Sequence, residues 1–134
     1  MDNSSDVGRL VLRLTLGILV LLHGIAKLVG GPDYIVGLVT KSGLPGPLGY
    51  LVYVGEVLAP LLIIIGLWTR PAALVIVINM IVAVGLVHMG QLGQLSSTGG
   101  WALELQACFL FMGLAIALLG AGRYSVAGRG GRFN

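Results

Sequence analysis

Six side chains of types that move protons, act as nucleophiles or bind ligands stand in stretches that are otherwise almost pure hydrocarbon: His23, Lys27, Glu56, His88, Glu104 and Cys108. His23 and Lys27 lie one helical turn apart in LVLLHGIAKL and share a face. Glu56 sits in YVGEVLAPLL, His88 in GLVHMG, and Glu104 and Cys108 one turn apart in WALELQACFL. An ammonium with carboxylates and imidazoles can take up and release protons near neutral pH, as quinone chemistry or proton coupling requires. Burying such groups in hydrocarbon is costly unless they have partners, so Lys27 is expected to pair with Glu56 or with Glu104. Two carboxylates against one ammonium leave a negative charge, cancelled when a carboxylate or a histidine takes a proton.

Each of these residues also has a plainer reading. Lys27 and Glu104 lie near the ends of apolar runs, from which long side chains reach water. His88 reads equally as an interfacial histidine, and Cys108 as a small packing residue. Two histidines without ligand spacing are no metal signature, and no metal site is expected. Glu56 is the hardest to explain away, because it is too short and too deep to reach water easily.

Composition sets the class. The chain has 134 residues, of which 57% are hydrophobic and 10% charged, and its mean hydropathy is +1.00. That is far from the usual soluble balance and marks an integral membrane protein of a single domain, residues 1–134. One cysteine excludes an intrachain disulfide. The net charge of +3 comes from basic residues near the ends of the apolar runs and in the tail, which fits membrane topology and not nucleic-acid binding. No P-loop, dinucleotide fingerprint or spaced Ser–His–Asp set is present. The acidic start MDNSSD lacks the basic region of a cleavable signal, so the first apolar run is expected to be retained.

The elements that must position the polar residues follow from the apolar runs. Spans are expected at about 8–29, 48–68, 71–89 and 101–119, each close to the length that crosses a bilayer. Gly30, Gly31 and Pro32 end the first, and the weakly apolar middle of the next loop suits a short interfacial helix or re-entrant turn. Pro60 removes a main-chain hydrogen bond within the second span and is expected to kink it. The Thr69-Arg70 connection makes spans two and three a hairpin, with Asn79 at mid-depth in the third. Residues 120–134 read as a basic, flexible cytoplasmic tail. Six arginines (Arg9, Arg13, Arg70, Arg123, Arg129, Arg132) fall on the face of the termini and two lysines (Lys27, Lys41) opposite. The expected fold is therefore all-α, a four-transmembrane-helix bundle, N-in/C-in. Arg13 and Arg70 serve topology in this reading, with Arg13 snorkelling to lipid phosphate. All six chemical residues then fall in the outer half.

The sequence resembles the DoxX family of small four-helix bacterial and archaeal membrane proteins. The likeness rests on LRLTLGILVLLHGIAKL, on GLPGPLGYLVYVGEVLAPLLIIIGLWTRPAAL, and on Glu104 followed by GAGRYS, over residues 9–125. It implies a multi-pass protein of the cell's inner membrane, linked to quinone-dependent or other membrane redox systems, with the family's lysine and glutamates at Lys27, Glu56 and Glu104. A catalytic role for these three does not transfer with the fold. The expected function is a redox-associated protein, enzymatic only as a quinone-linked oxidoreductase subunit. Its outer pocket of His23, Lys27, Glu56, His88 and Glu104, with Cys108 nearby, would bind a quinone headgroup or a similar small molecule. Two alternatives stand beside it. One is an assembly subunit of a redox complex, or a homo-oligomer, presenting Gly113 and Ala117 as a small-residue face. The other is a small-molecule or proton conduit. In each case the bilayer is a partner and nucleic acid is not.

Overall fold

The computed structural model describes residues 3–134, except the side chains of residues 87 and 88. It is all-helical, and no strand forms among the described residues beyond an isolated bridge between Leu95 and Trp101. Helix α1 spans Asn3–Gly30 and α2 spans Asp33–Lys41. Helix α3 runs over Gly46–Ile65. It begins as a 3-10 turn, passes through a π turn at Val54–Leu58 and finishes as α-helix. Helix α4 covers Thr69–Ala83 and continues into a second π turn, Val84–His88. Helix α5 covers Glu104–Leu119. Among the described residues, three helices are long and apolar enough to cross a membrane: α1, α3 and α4 with its extension to Leu86.

The expected fourth span is shorter than the sequence suggests. Its first residues are held in the preceding loop, where Trp101 Nε1 donates to the Leu92 carbonyl at 2.9 Å and Ala102 N–H to Gln94 at 3.0 Å. What remains is an apolar helix of 16 residues, about 24 Å at 1.5 Å per residue, against a hydrocarbon core of about 30 Å. A short helix forms in that loop as α2, folded onto the entry to α3, where Gly49 leaves room for the backbone of Val36.

The core is a seam of Leu16 and Val20 from α1, Ala59 and Ile63 from α3, Ala72, Ala73, Ile76 and Met80 from α4, and Phe109 and Ile116 from α5. Small residues let the rods approach. A Cβ added to Gly17 would lie 3.2 Å from the Pro60 carbonyl oxygen, and one added to Gly113 the same distance from that of Ala73. Gly113 is thus consumed inside the bundle and not on the outward partner face that the sequence suggests, while Ala117 packs half-buried against the core.

Arg13 differs most from expectation. It does not snorkel to lipid; only 1% of its surface is exposed. Nε donates to the Ile63 carbonyl at 3.0 Å and Nη2 to Ile64 at 3.0 Å. Nη1 donates to Ala121 at 3.1 Å and to Tyr124 at 2.8 Å. Helix α3 must find donors for its last four carbonyls. Leu62 takes the N–H groups of Gly66 and Leu67, Ile63 and Ile64 take Arg13, and Ile65 takes the N–H of Val126. Gly66, at φ +79, turns the chain there, with Arg13 and Ser125 filling the space a side chain would need.

Residues 120–134, which composition suggests as a flexible tail, fold back across this end. Asn134 Oδ1 accepts from Thr69 N–H at 3.3 Å and Thr69 Oγ1 at 2.8 Å, and the Phe133 carbonyl accepts from Arg70 N–H at 3.1 Å. The tail so caps the start of α4. Asp6, fully buried, pairs with Arg129 and lies 3.5 Å from Arg9. Arg70 Nη1 donates to the last carbonyls of α5, Ala117 at 2.9 Å and Leu118 at 2.8 Å, placing a cation at the negative end of that helix. Replacing Arg13 with Leu leaves the carbonyls of Ile63, Ile64, Ala121 and Tyr124 short of a donor. Denaturant unfolding in detergent should show a loss of about 3 kcal/mol or more.

Candidate functional site

Pro60 sets the site's geometry. In an α-helix the N–H of residue 60 would bond the carbonyl of residue 56, but proline has no N–H and its ring crowds that carbonyl. Helix α3 widens there into the π turn Val54–Leu58, with Glu56 at its centre. The freed carbonyl of Glu56 lies against α1 at Gly24, where an added Cβ would overlap it. On the other flank, a Cβ added to Gly55 would sit 2.7 Å from Asn79 Cγ, so α4 also comes close. Two glycines and a proline therefore hold Glu56 between α1 and α4.

The carboxylate has two donors. Lys27 Nζ lies 2.5 Å from Glu56 Oε2, and Asn79 Nδ2 donates to the same oxygen at 3.1 Å. Glu56 keeps 4% of its side-chain surface exposed and Lys27 33%, so the pair is sealed at the carboxylate and open at the ammonium. Tyr53 Oη donates to the Lys27 carbonyl at 3.3 Å and fixes the end of α1 against α3. His23 Nδ1 lies 2.9 Å from the Leu19 carbonyl. A carbonyl only accepts, so Nδ1 carries a proton. The ring meets Phe109 edge-on at 5.6 Å.

His23, Lys27 and Glu56 line one cavity of about 140 Å³, completed by Met80 of α4 and by Gln106 and Phe109 of α5. Four helices contribute. The remaining expected members are elsewhere or undescribed. Glu104 and Cys108 border a separate groove of about 440 Å³ with Trp101, Phe111 and Met112. Both are exposed, and the Glu104 carboxylate folds back over Gly100. The side chain of His88 lies outside the described residues. Lys27 thus takes Glu56 of its two expected partners. Pro60 lies directly beneath the site, whereas Arg13 and Arg70 act at the opposite end of α3 and at the end of α5.

Two residues at the site were not singled out for it from the sequence. Asn79 was visible as the lone polar residue of VIVINMIV, which is itself a signal for an interhelical hydrogen bond. Gln106 carried no such mark, because it follows Glu104 by two positions near a span end and reads as part of a polar helix start.

Among protein families, DoxX matches residues 8–89. No curated protein and no solved structure matches the chain. The family match holds Lys27, Glu56, Asn79 and Pro60 and stops before Glu104, so it is narrower than the likeness over residues 9–125 read from the motifs. Substituting Lys27 with Met should strand the buried carboxylate and cost about 3 kcal/mol or more in detergent unfolding. The double variant Lys27→Met, Glu56→Leu should recover to within about 1 kcal/mol of wild type, since two apolar residues replace a buried pair without an orphan charge.

Proposed function

The chain belongs to the DoxX family, and from that premise we propose that it is a redox-associated protein of the cell's inner membrane that binds a quinone headgroup, or a similar small neutral molecule, at the Lys27–Glu56 cavity. The observation that carries this reading is the buried Glu56 carboxylate, neutralised by Lys27 and hydrogen-bonded by Asn79, at the wall of a cavity. Ammonium and carboxylate cancel, so the cavity favours an uncharged guest with hydrogen-bonding oxygens over an ion. Lys27, the more open partner, would donate to a carbonyl oxygen, and Glu56 would exchange the proton that accompanies reduction. The volume of about 140 Å³ is below the ~300 Å³ of drug-sized sites and suits a headgroup whose chain stays in lipid. Reduction of a quinone to its quinol takes two electrons and two protons, and the electrons would come from a partner enzyme or a diffusing quinol.

In this reading α5 completes a four-span bundle with both termini inside, supported by six arginines at one end against two lysines at the other. A conduit fits less well, because Arg13 and the folded tail fill the arginine-rich end. Glu56→Gln in purified protein tests the site. Binding of a short-chain quinone, followed by fluorescence quenching, should weaken about tenfold, a loss of about 1.4 kcal/mol. Wild-type affinity in the variant would remove Glu56 from the site.

A further inference from the structure

The end of the bundle opposite the cavity carries a pattern that neither packing nor turn geometry explains. Trp68 and Phe133 are the two non-glycine residues with positive φ among those described, at +48° and +58°. Bulky L residues adopt that conformation at a cost, and it persists where something else requires the side chain. Turn formation alone does not require it here. Where the chain needs positive φ nearby it uses glycine, at Gly66, Gly120, Gly122 and Gly128. Packing does not require it either, for Trp68 and Phe133 are both 55% exposed. The two are carried as a pair, since Arg70 N–H donates to the Phe133 carbonyl and Thr69 to Asn134.

Cations accompany the rings. The Arg132 guanidinium lies 5.1 Å from the Phe133 ring centroid, and that of Arg123 lies 5.0 Å from the ring of Tyr124, itself exposed. All six arginines of the chain gather at this end, against one side-chain carboxylate among the described residues, the buried Asp6. Exposed rings beside guanidinium groups match one environment, the layer where lipid phosphates meet acyl chains: rings rest at the boundary and arginines reach the phosphates.

We propose that the docked tail and the Trp68 turn form a binding surface for anionic phospholipid, with Trp68, Tyr124 and Phe133 set in the interface and Arg123 and Arg132 engaging the phosphates. The surface exists only because the tail is folded. It is independent of the cavity and of any quinone chemistry there.

The test uses full-length protein in nanodiscs of phosphatidylcholine, with and without phosphatidylglycerol. Lipid retention is read by native mass spectrometry and stability by thermal unfolding. Wild type should retain phosphatidylglycerol selectively and unfold at higher temperature in its presence, with the gain shrinking as salt is raised. The variant Arg123→Gln, Arg132→Gln should bind phosphatidylglycerol about tenfold more weakly or worse, each arginine near an anionic surface being worth a factor of about five. Trp68→Gly should fold at least as well in phosphatidylcholine, because glycine suits φ +48°, yet lose part of the phosphatidylglycerol gain. A wild type indifferent to phosphatidylglycerol would overturn the proposal. So would variants that keep the full gain, inorganic phosphate that reproduces it, or a dimer that the variants dissociate.

Discussion

Main-chain carbonyls in a water-poor layer must find donors, and that constraint governs the arginine-rich end of this molecule. Arg13 meets it with a planar fork whose donors are fixed in direction, reaching the end of α3 and the start of the tail at once. Lysine could not do the same with a single nitrogen. The guanidinium also places a full positive charge at the negative end of α3. Its hydrogen bonds make α1, α3 and the tail one body, and the capping of α4 by Phe133 and Asn134 follows from where that tail is held.

At the other end the same rule works through an omission. Proline removes a donor, a carbonyl is released, the helix widens by a π turn, and a glutamate is turned between two neighbouring rods. Gly24 and Gly55 are the empty positions that allow it. The ion pair is thus built from backbone geometry more than from side-chain reach, and its neutrality makes it tolerable within lipid.

Much of this was legible in the sequence, and what was not had a common cause. Membrane character, the first three spans, the irregular helix before Pro60 and the pairing of Lys27 with a glutamate follow from hydropathy and from charges out of place. Depth along a helix can be counted in residues; direction around it cannot when nearly every face is apolar. Glu104 was therefore grouped with Glu56 by depth, although it faces a different groove. Asn79 was noticed, but nothing in α4 said that it turned toward Glu56. The role of Arg13 is hidden from the sequence because its partners are carbonyl oxygens, which every residue has and no sequence pattern displays. The tail was misread for a related reason: its glycines signal freedom, and its docking depends on main-chain bonds to Ile65 and Gly66.

The order of synthesis acquires a meaning from this arrangement. Helices α1, α3 and α4 precede residues 121–134 in the chain, so the α3–α4 hairpin is synthesised before the segment that caps its turn. Until residues 121–134 are in place, water or lipid headgroups must stand in for Ala121, Tyr124, Val126 and Asn134 around the Arg13 guanidinium and the hairpin's tip. The arginine-bearing end is thus closed by chain translated after the helices α1, α3 and α4 that it caps.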